Sequence, residues 1–141
     1  LAAVFAAAPA SAEDAPAPAA PAPDKKMMQQ AFDGAMTCSA VTAILAEGKG
    51  PDERWQWDNR SFAFGMLAAR FWSDATGEQM TGELLDQALN QYAGKIAELE
   101  AERRDKFEQS CSAKYADVDK LCEINECLHK GPPPAAPGAA Q

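Results

Sequence analysis

Between Asp24 and Lys130 the apolar residues recur at intervals of three and four instead of alternating, which is the period of helices packed on one face and not of strands. Four such patterns follow one another. The first runs from about Asp24 to Glu47 through Met28, Ala31, Phe32, Ala35, Cys38, Val41, Thr42 and Leu45, and Gly48-Lys49-Gly50-Pro51 ends it. The second opens at Pro51-Asp52-Glu53, a proline in the first turn followed by acids that suit the positive end of the helix dipole, and Gly77 supplies its stop. It carries two apolar stripes, Phe62, Met66 and Ala69 on one side and Phe64, Leu67, Ala68 and Phe71 on another, a pattern that predicts a helix central in the packing.

The third pattern has the clearest start. Thr81 is a good N-cap, Glu83 sits in the first turn, and Met80 and Leu85 occupy the positions of a hydrophobic staple. Leu85, Leu89, Tyr92, Ile96 and Leu99 then repeat at four and three, the seam of a bundle, and the helix is predicted to continue to about Cys111 with a bend at Gly94. Arg103 interrupts the seam, and Glu98, Glu100, Glu102 and Asp105 leave little apolar surface beyond it. The fourth pattern, Asp117 to Lys130, carries Val118, Leu121, Cys122, Asn125 and Leu128, with Gly131 and the prolines after it as a stop. These patterns predict an all-α fold: a small bundle of about four helices over residues 25–130, with a long third helix whose seam also suits a homodimer.

The flanks read differently. Leu1 to Ala8 is almost purely apolar and runs into Ala10-Ser11-Ala12, a small-x-small cleavage site, so residues 1–12 are expected to be the remnant of a signal peptide cut off at its front. Residues 13–24 hold only Ala, Pro, Glu and Asp, and residues 131–141 repeat that character, which predicts a Pro/Ala-rich linker and a disordered tail. Export places the protein in the periplasm or outside the cell. With 13 basic and 21 acidic residues the net charge is −8, which argues against nucleic acid and anionic lipid as partners. After the signal no apolar stretch approaches the roughly 20 residues of a membrane span.

In an exported chain, four cysteines imply two disulfides crosslinking the bundle. Cα atoms must approach within about 7 Å for a bridge. With up-down packing of straight helices at about 1.5 Å per residue, Cys38 stands about 20 Å up the bundle, Cys111 about 45 Å, Cys122 about 34 Å and Cys127 about 27 Å. These heights favour Cys38 with Cys127 and Cys111 with Cys122. Pairing Cys122 with Cys127 would require the helix to unwind between them, because an offset of five residues points side chains apart.

Chemistry is sparse. Cys122, Cys127 and His129 are the local group of soft ligands, but their spacing fits neither zinc ribbons and fingers nor, with Leu128 before the histidine, a covalent haem motif, so no metal or other cofactor is expected. A Cys-His nucleophile is displaced by cysteine pairing, and Gly48-Lys49-Gly50 lacks the strand and further glycines of a phosphate loop. The chain is not expected to be an enzyme. Trp55 and Trp57 precede the double stripe of helix 2 and lie among Arg54, Gln56 and Asp58, as anchors for a protein partner would, or as covers for the end of the core. The leading expectation is a non-enzymatic exported bundle that binds another protein through these tryptophans and the apolar side of helices 2 and 3, with a metal-binding protein using the C-terminal Cys/His group as an alternative.

Thr37-Cys38-Ser39 in an apolar helix, then Phe64-Gly65-Met66-Leu67-Ala68 and a later Cys111, resemble small exported bacterial helical proteins, including periplasmic acid-stress chaperones of the HdeA type. The resemblance covers about the first half of the folded part. It implies a bridge from helix 1 to a later helix, and a chaperone that loosens at low pH to bind unfolded clients. The chain departs from that pattern in its charged third helix, in Cys122 and Cys127, and in its proline-rich flanks.

Overall fold

In the computed structural model, which describes residues 24–124 and Cys127, five helices succeed one another: α1 Lys25–Glu47, α2 Pro51–Thr76, α3 Gly82–Ala97, α4 Ala101–Ser112 and α5 Tyr115–Ile124. No strand occurs among the described residues, so the all-α expectation holds. The starts and stops are local. The Asp24 carboxylate accepts the Lys26 N–H at the head of α1, and Pro51 occupies the first turn of α2. Gly77 closes α2 in the left-handed conformation (φ 73°), which a Cβ would disfavour, and the Thr81 hydroxyl accepts the Leu84 N–H at the start of α3.

α1 and α2 form an antiparallel hairpin and share the most extensive contact in the fold. Small residues let them approach: Ser39, Ala40, Ala63, Gly65 and Ala68 are all buried. At the crossing the Ser39 hydroxyl donates to the Ser61 carbonyl (2.8 Å) while the Ser61 hydroxyl donates to the Ser39 carbonyl (2.9 Å). Each polar group taken out of water is thereby repaid in kind. One apolar cluster lies around Val41, Phe64, Ile96 and Val118, and a second around Phe32, Met36 and Ala68. Phe64 is 1% exposed, a burial worth roughly 1.5–3 kcal/mol.

The double stripe predicted α2 as the central helix, but α1 takes that position. It packs against α2, α3 and α4, because its nearly continuous small and apolar run from Ala35 to Thr42 has few side chains long enough to hold neighbours off. α2 is buried against α1 and α5 and only lightly against α3. Its Phe62–Met66–Ala69 stripe is therefore not core throughout, and Met66 is 55% exposed.

The long third helix is also corrected. It ends at Ala97, and the chain turns at Glu98-Leu99-Glu100 before α4 begins. The Leu99 N–H donates to the Ile96 carbonyl (3.1 Å), a tighter bond than the α pattern, and Glu100 is extended (φ −60°, ψ 148°). Leu99 still packs on the core beside buried Ile96, whereas Ala101 to Gln109 offers it almost nothing apolar. A straight helix would carry Cys111 away at about 1.5 Å per residue. The turn instead returns it to α1. The last helix starts at Tyr115, two residues before the predicted Asp117, and the predicted stretch 128–130 lies outside the described residues.

That turn decides the crosslinks. Cys38 is bonded to Cys111 (Cα–Cα 5.4 Å) and Cys122 to Cys127 (Cα–Cα 5.1 Å), in place of the Cys38–Cys127 and Cys111–Cys122 pairs expected from helix heights. The heights assumed a straight third helix, and folding α4 back removes the mismatch between Cys38 and Cys111. α5 stops at Ile124 and Cys127 lies beyond it in non-helical backbone, which meets the unwinding that a Cys122–Cys127 bridge demands.

Candidate partner-binding surface

α2 presents different chemistry on its different sides. Trp57 and Arg60 face α5. The Trp57 ring meets Tyr115 edge-on (centroids 5.4 Å, interplanar angle 85°), and Tyr115 also meets Phe64 at 6.4 Å. The Arg60 guanidinium lies 4.9 Å from the Trp57 ring centroid and 4.5 Å from that of Tyr115, and the Lys49 ammonium lies 4.9 Å from Trp57. Arg60 then reaches Asp119 with both arms of its fork, Nε to Oδ1 at 2.9 Å and the terminal nitrogen to Oδ2 at 2.8 Å. The bond to Asp119 raises the Arg60 pKa, partly offset by burial, so the guanidinium stays charged. Burial, with Glu108 nearby, raises the pKa of the Tyr115 phenol, partly offset by Arg60. This stack clamps α5 to α2, and the Cys122 sulfur lies 3.6 Å from the Asn59 carbonyl oxygen at its far end.

Of the two tryptophans singled out by sequence, Trp57 is thus engaged inside the fold. Trp55 is half-buried, and its indole N–H donates to the Asp52 carbonyl of its own helix (2.8 Å). Phe62, Met66 and Ala69 follow Trp55 at seven, eleven and fourteen residues, so the four share one side of α2. This ridge borders a cavity of about 340 Å³ between α2 and α3, lined by Phe62, Gly65, Leu85 and Leu89 with Asp58 and Asp86 at its edge and Ser39 also lining it. α3 leaves it open because that helix leans on α1, where Tyr92 meets Phe32 edge-on at 6.3 Å and donates its hydroxyl to the Asp33 carboxylate. Burial first, and then that bond, raise the Tyr92 pKa well above its ordinary value. At the start of α3, Leu84 adds a further exposed apolar side chain (47%).

The other sequence candidates are placed as follows. Cys122 and Cys127 are bonded to each other and offer no thiolate, and His129 lies outside the described residues. Among the described residues no group of three or more His, Cys, Asp or Glu side chains is arranged to hold a metal ion, and no helix is long and apolar enough to cross a membrane. The Arg60–Asp119 pair was missed from sequence, since nothing links residues 59 positions apart until α5 folds onto α2. Compared with known protein families, with curated proteins and with solved structures, the chain matches none.

Proposed function

We propose that this chain is a non-enzymatic, exported binding protein whose α2 ridge of Trp55, Phe62 and Met66 receives a protein partner. The observation that carries the reading is Met66, 55% exposed in the middle of an apolar stripe whose other members, Trp55, Phe62 and Ala69, are half-buried. An exposed methionine among half-buried apolar side chains, beside a cavity with Leu85 and Leu89 on its far wall, has the composition of an interface core with a polar edge. A half-buried tryptophan on the same row is the residue type that most often anchors such contacts. Two disulfides support an oxidising compartment.

Because the Met66 side chain is mostly in solvent, Met66→Asp is expected to change folding stability by less than about 0.5 kcal/mol. The variant should nevertheless lose any stoichiometric companion with which the wild-type chain co-elutes. A companion retained undiminished by Met66→Asp and by Trp55→Ala sinks the proposal. A companion of the same mass as the chain identifies self-association through this region.

A second reading, the acid-activated chaperone, draws support from two carboxylate tethers, Asp119 on Arg60 and Asp33 on Tyr92, which hold α5 to α2 and α3 to α1. Strong acid would weaken both attachments and release apolar surface. Light scattering from an acid-denatured client, unchanged by the protein, would dispose of it.

A further inference from the structure

On the side of the bundle away from the α2 ridge, a second cavity of about 460 Å³ lies between α1, α2 and the end of α4, beside the Cys38–Cys111 disulfide. It lies past the contacts of α5, which through Tyr115, Asp119 and Cys122 fall on Trp57, Asn59, Arg60 and Phe64 of α2, short of Leu67 and Phe71. The volume falls within the roughly 300–1,000 Å³ of small-molecule sites. The opening is a trough in shape: its α1 wall runs from Gln30 to Cys38, about 12 Å along the helix axis. Gly34 forms part of that wall, and a Cβ placed there would meet nothing within 4 Å.

The ends of the trough differ in chemistry. Lys114, in the turn after α4, directly precedes Tyr115, which meets Phe64, so it stands at the Phe64 end of the α2 wall, while Phe71 and Gln30 lie toward the other; Phe107 of α4, 37% exposed, also lines the opening. Among the described residues lining the trough Lys114 is the one with a charge, and it is a cation in a chain with 21 acidic and 13 basic residues. No carboxylate is among them, and the remaining polar lining is the neutral Gln30, Thr37 and Ser110.

We infer that this trough binds a free fatty acid, with the acyl chain along Leu67, Phe71 and Gly34 and the carboxylate on the Lys114 ammonium. A linear apolar tail matches a long narrow opening, and a single negative charge matches a single cation at one end. A peptide segment would bring backbone polar groups that this lining has few partners to satisfy.

The test is isothermal titration of the full chain with dodecanoate and with dodecanol, below their micelle or solubility limits. The wild-type chain is expected to bind dodecanoate at one per chain and dodecanol at least fivefold more weakly. Lys114→Gln should weaken dodecanoate about tenfold and leave dodecanol unchanged. Gly34→Leu, which fills open space and replaces a helical glycine with a strong helix former, should abolish binding of both while thermal stability is kept or raised. Absence of dodecanoate binding, or binding that Gly34→Leu leaves intact, overturns the site. Equal losses of acid and alcohol in Lys114→Gln overturn the carboxylate assignment.

Discussion

Removing the Cys38–Cys111 bridge by the double substitution Cys38→Ala with Cys111→Ala is expected to cost far more stability than removing Cys122–Cys127 in the same way. The bridges close stretches of very different length, with sequence separations of 73 and 5. In the chain-entropy account the unfolded state loses about 2.1 cal/mol/K plus 1.5R ln n, which comes to about 4 kcal/mol at 25 °C for the long loop and about 2 kcal/mol for the short one. Cys111 is 1% exposed, so truncating it also removes buried contacts, and the figure for the long bridge is a lower bound. At about 4–8 °C per kcal/mol for a domain of this size, the long-bridge variant should melt on the order of 15–30 °C lower and the short-bridge variant about half as far. Urea unfolding followed by helical circular dichroism, with equal m-values required for comparison, reads the difference directly. The crossed pairing, Cys38 with Cys127 and Cys111 with Cys122, makes an opposite forecast: each double variant then breaks both bridges, and the two losses become similar. Similar losses would refute the connectivity and with it the folding back of α4.

Gly94 lies inside α3 with nothing within 4 Å of where a Cβ would sit, so Gly94→Ala should stabilise the protein by about 0.8–1 kcal/mol in the same urea assay. Ser39→Ala deletes a buried hydroxyl and leaves the Ser61 carbonyl without that donor, for an expected loss of about 1–2 kcal/mol. The chain has two tyrosines, Tyr92 and Tyr115, and both have pKa values raised in the folded state by burial. Absorbance of tyrosinate should therefore stay low in the native protein through pH 10, where the denatured chain is about half ionised. A raised folded pKa means that this contribution to stability is intact below pH 10 and is lost as pH rises above it, so alkaline unfolding and tyrosine ionisation should coincide. A native titration with a midpoint at about 10 for both residues would contradict the burial of the two rings.

Much of the secondary structure was legible in local chemistry. Proline at the head of α2, Gly77 at its end and Thr81 before α3 act within a turn of chain, and each does in the structure what its residue type dictates. The break after Ala97 was not legible as a break. No glycine or proline marks it, and Leu99 continues the seam of Leu89, Tyr92 and Ile96 in perfect register. What the sequence did carry was the loss of apolar surface after Leu99, which shows that the segment cannot follow the core but not that it turns back. The disulfide error was inherited from that straight helix, since pairing depends on where Cys111 lies in space. The two stripes of α2 were legible, yet that Met66 of the first is left exposed depends on α3 leaning on α1 and α5 on the Trp57 side. Likewise Trp55 and Trp57, two residues apart and alike in sequence context, diverge because neighbouring positions on a helix point about 100° apart and these two point about 200° apart.

The proposed role rests on the α2 ridge, and the most direct measurement is photocrosslinking in the producing cell with benzoylphenylalanine placed singly at Trp55, Met66, Gln109 and Lys120. Gln109 and Lys120 are exposed on α4 and α5 and serve as controls. A binding ridge predicts a discrete protein adduct from positions 55 and 66 and none from 109 and 120. An absence of adducts at 55 and 66, or the same adducts from all four positions, would contradict it.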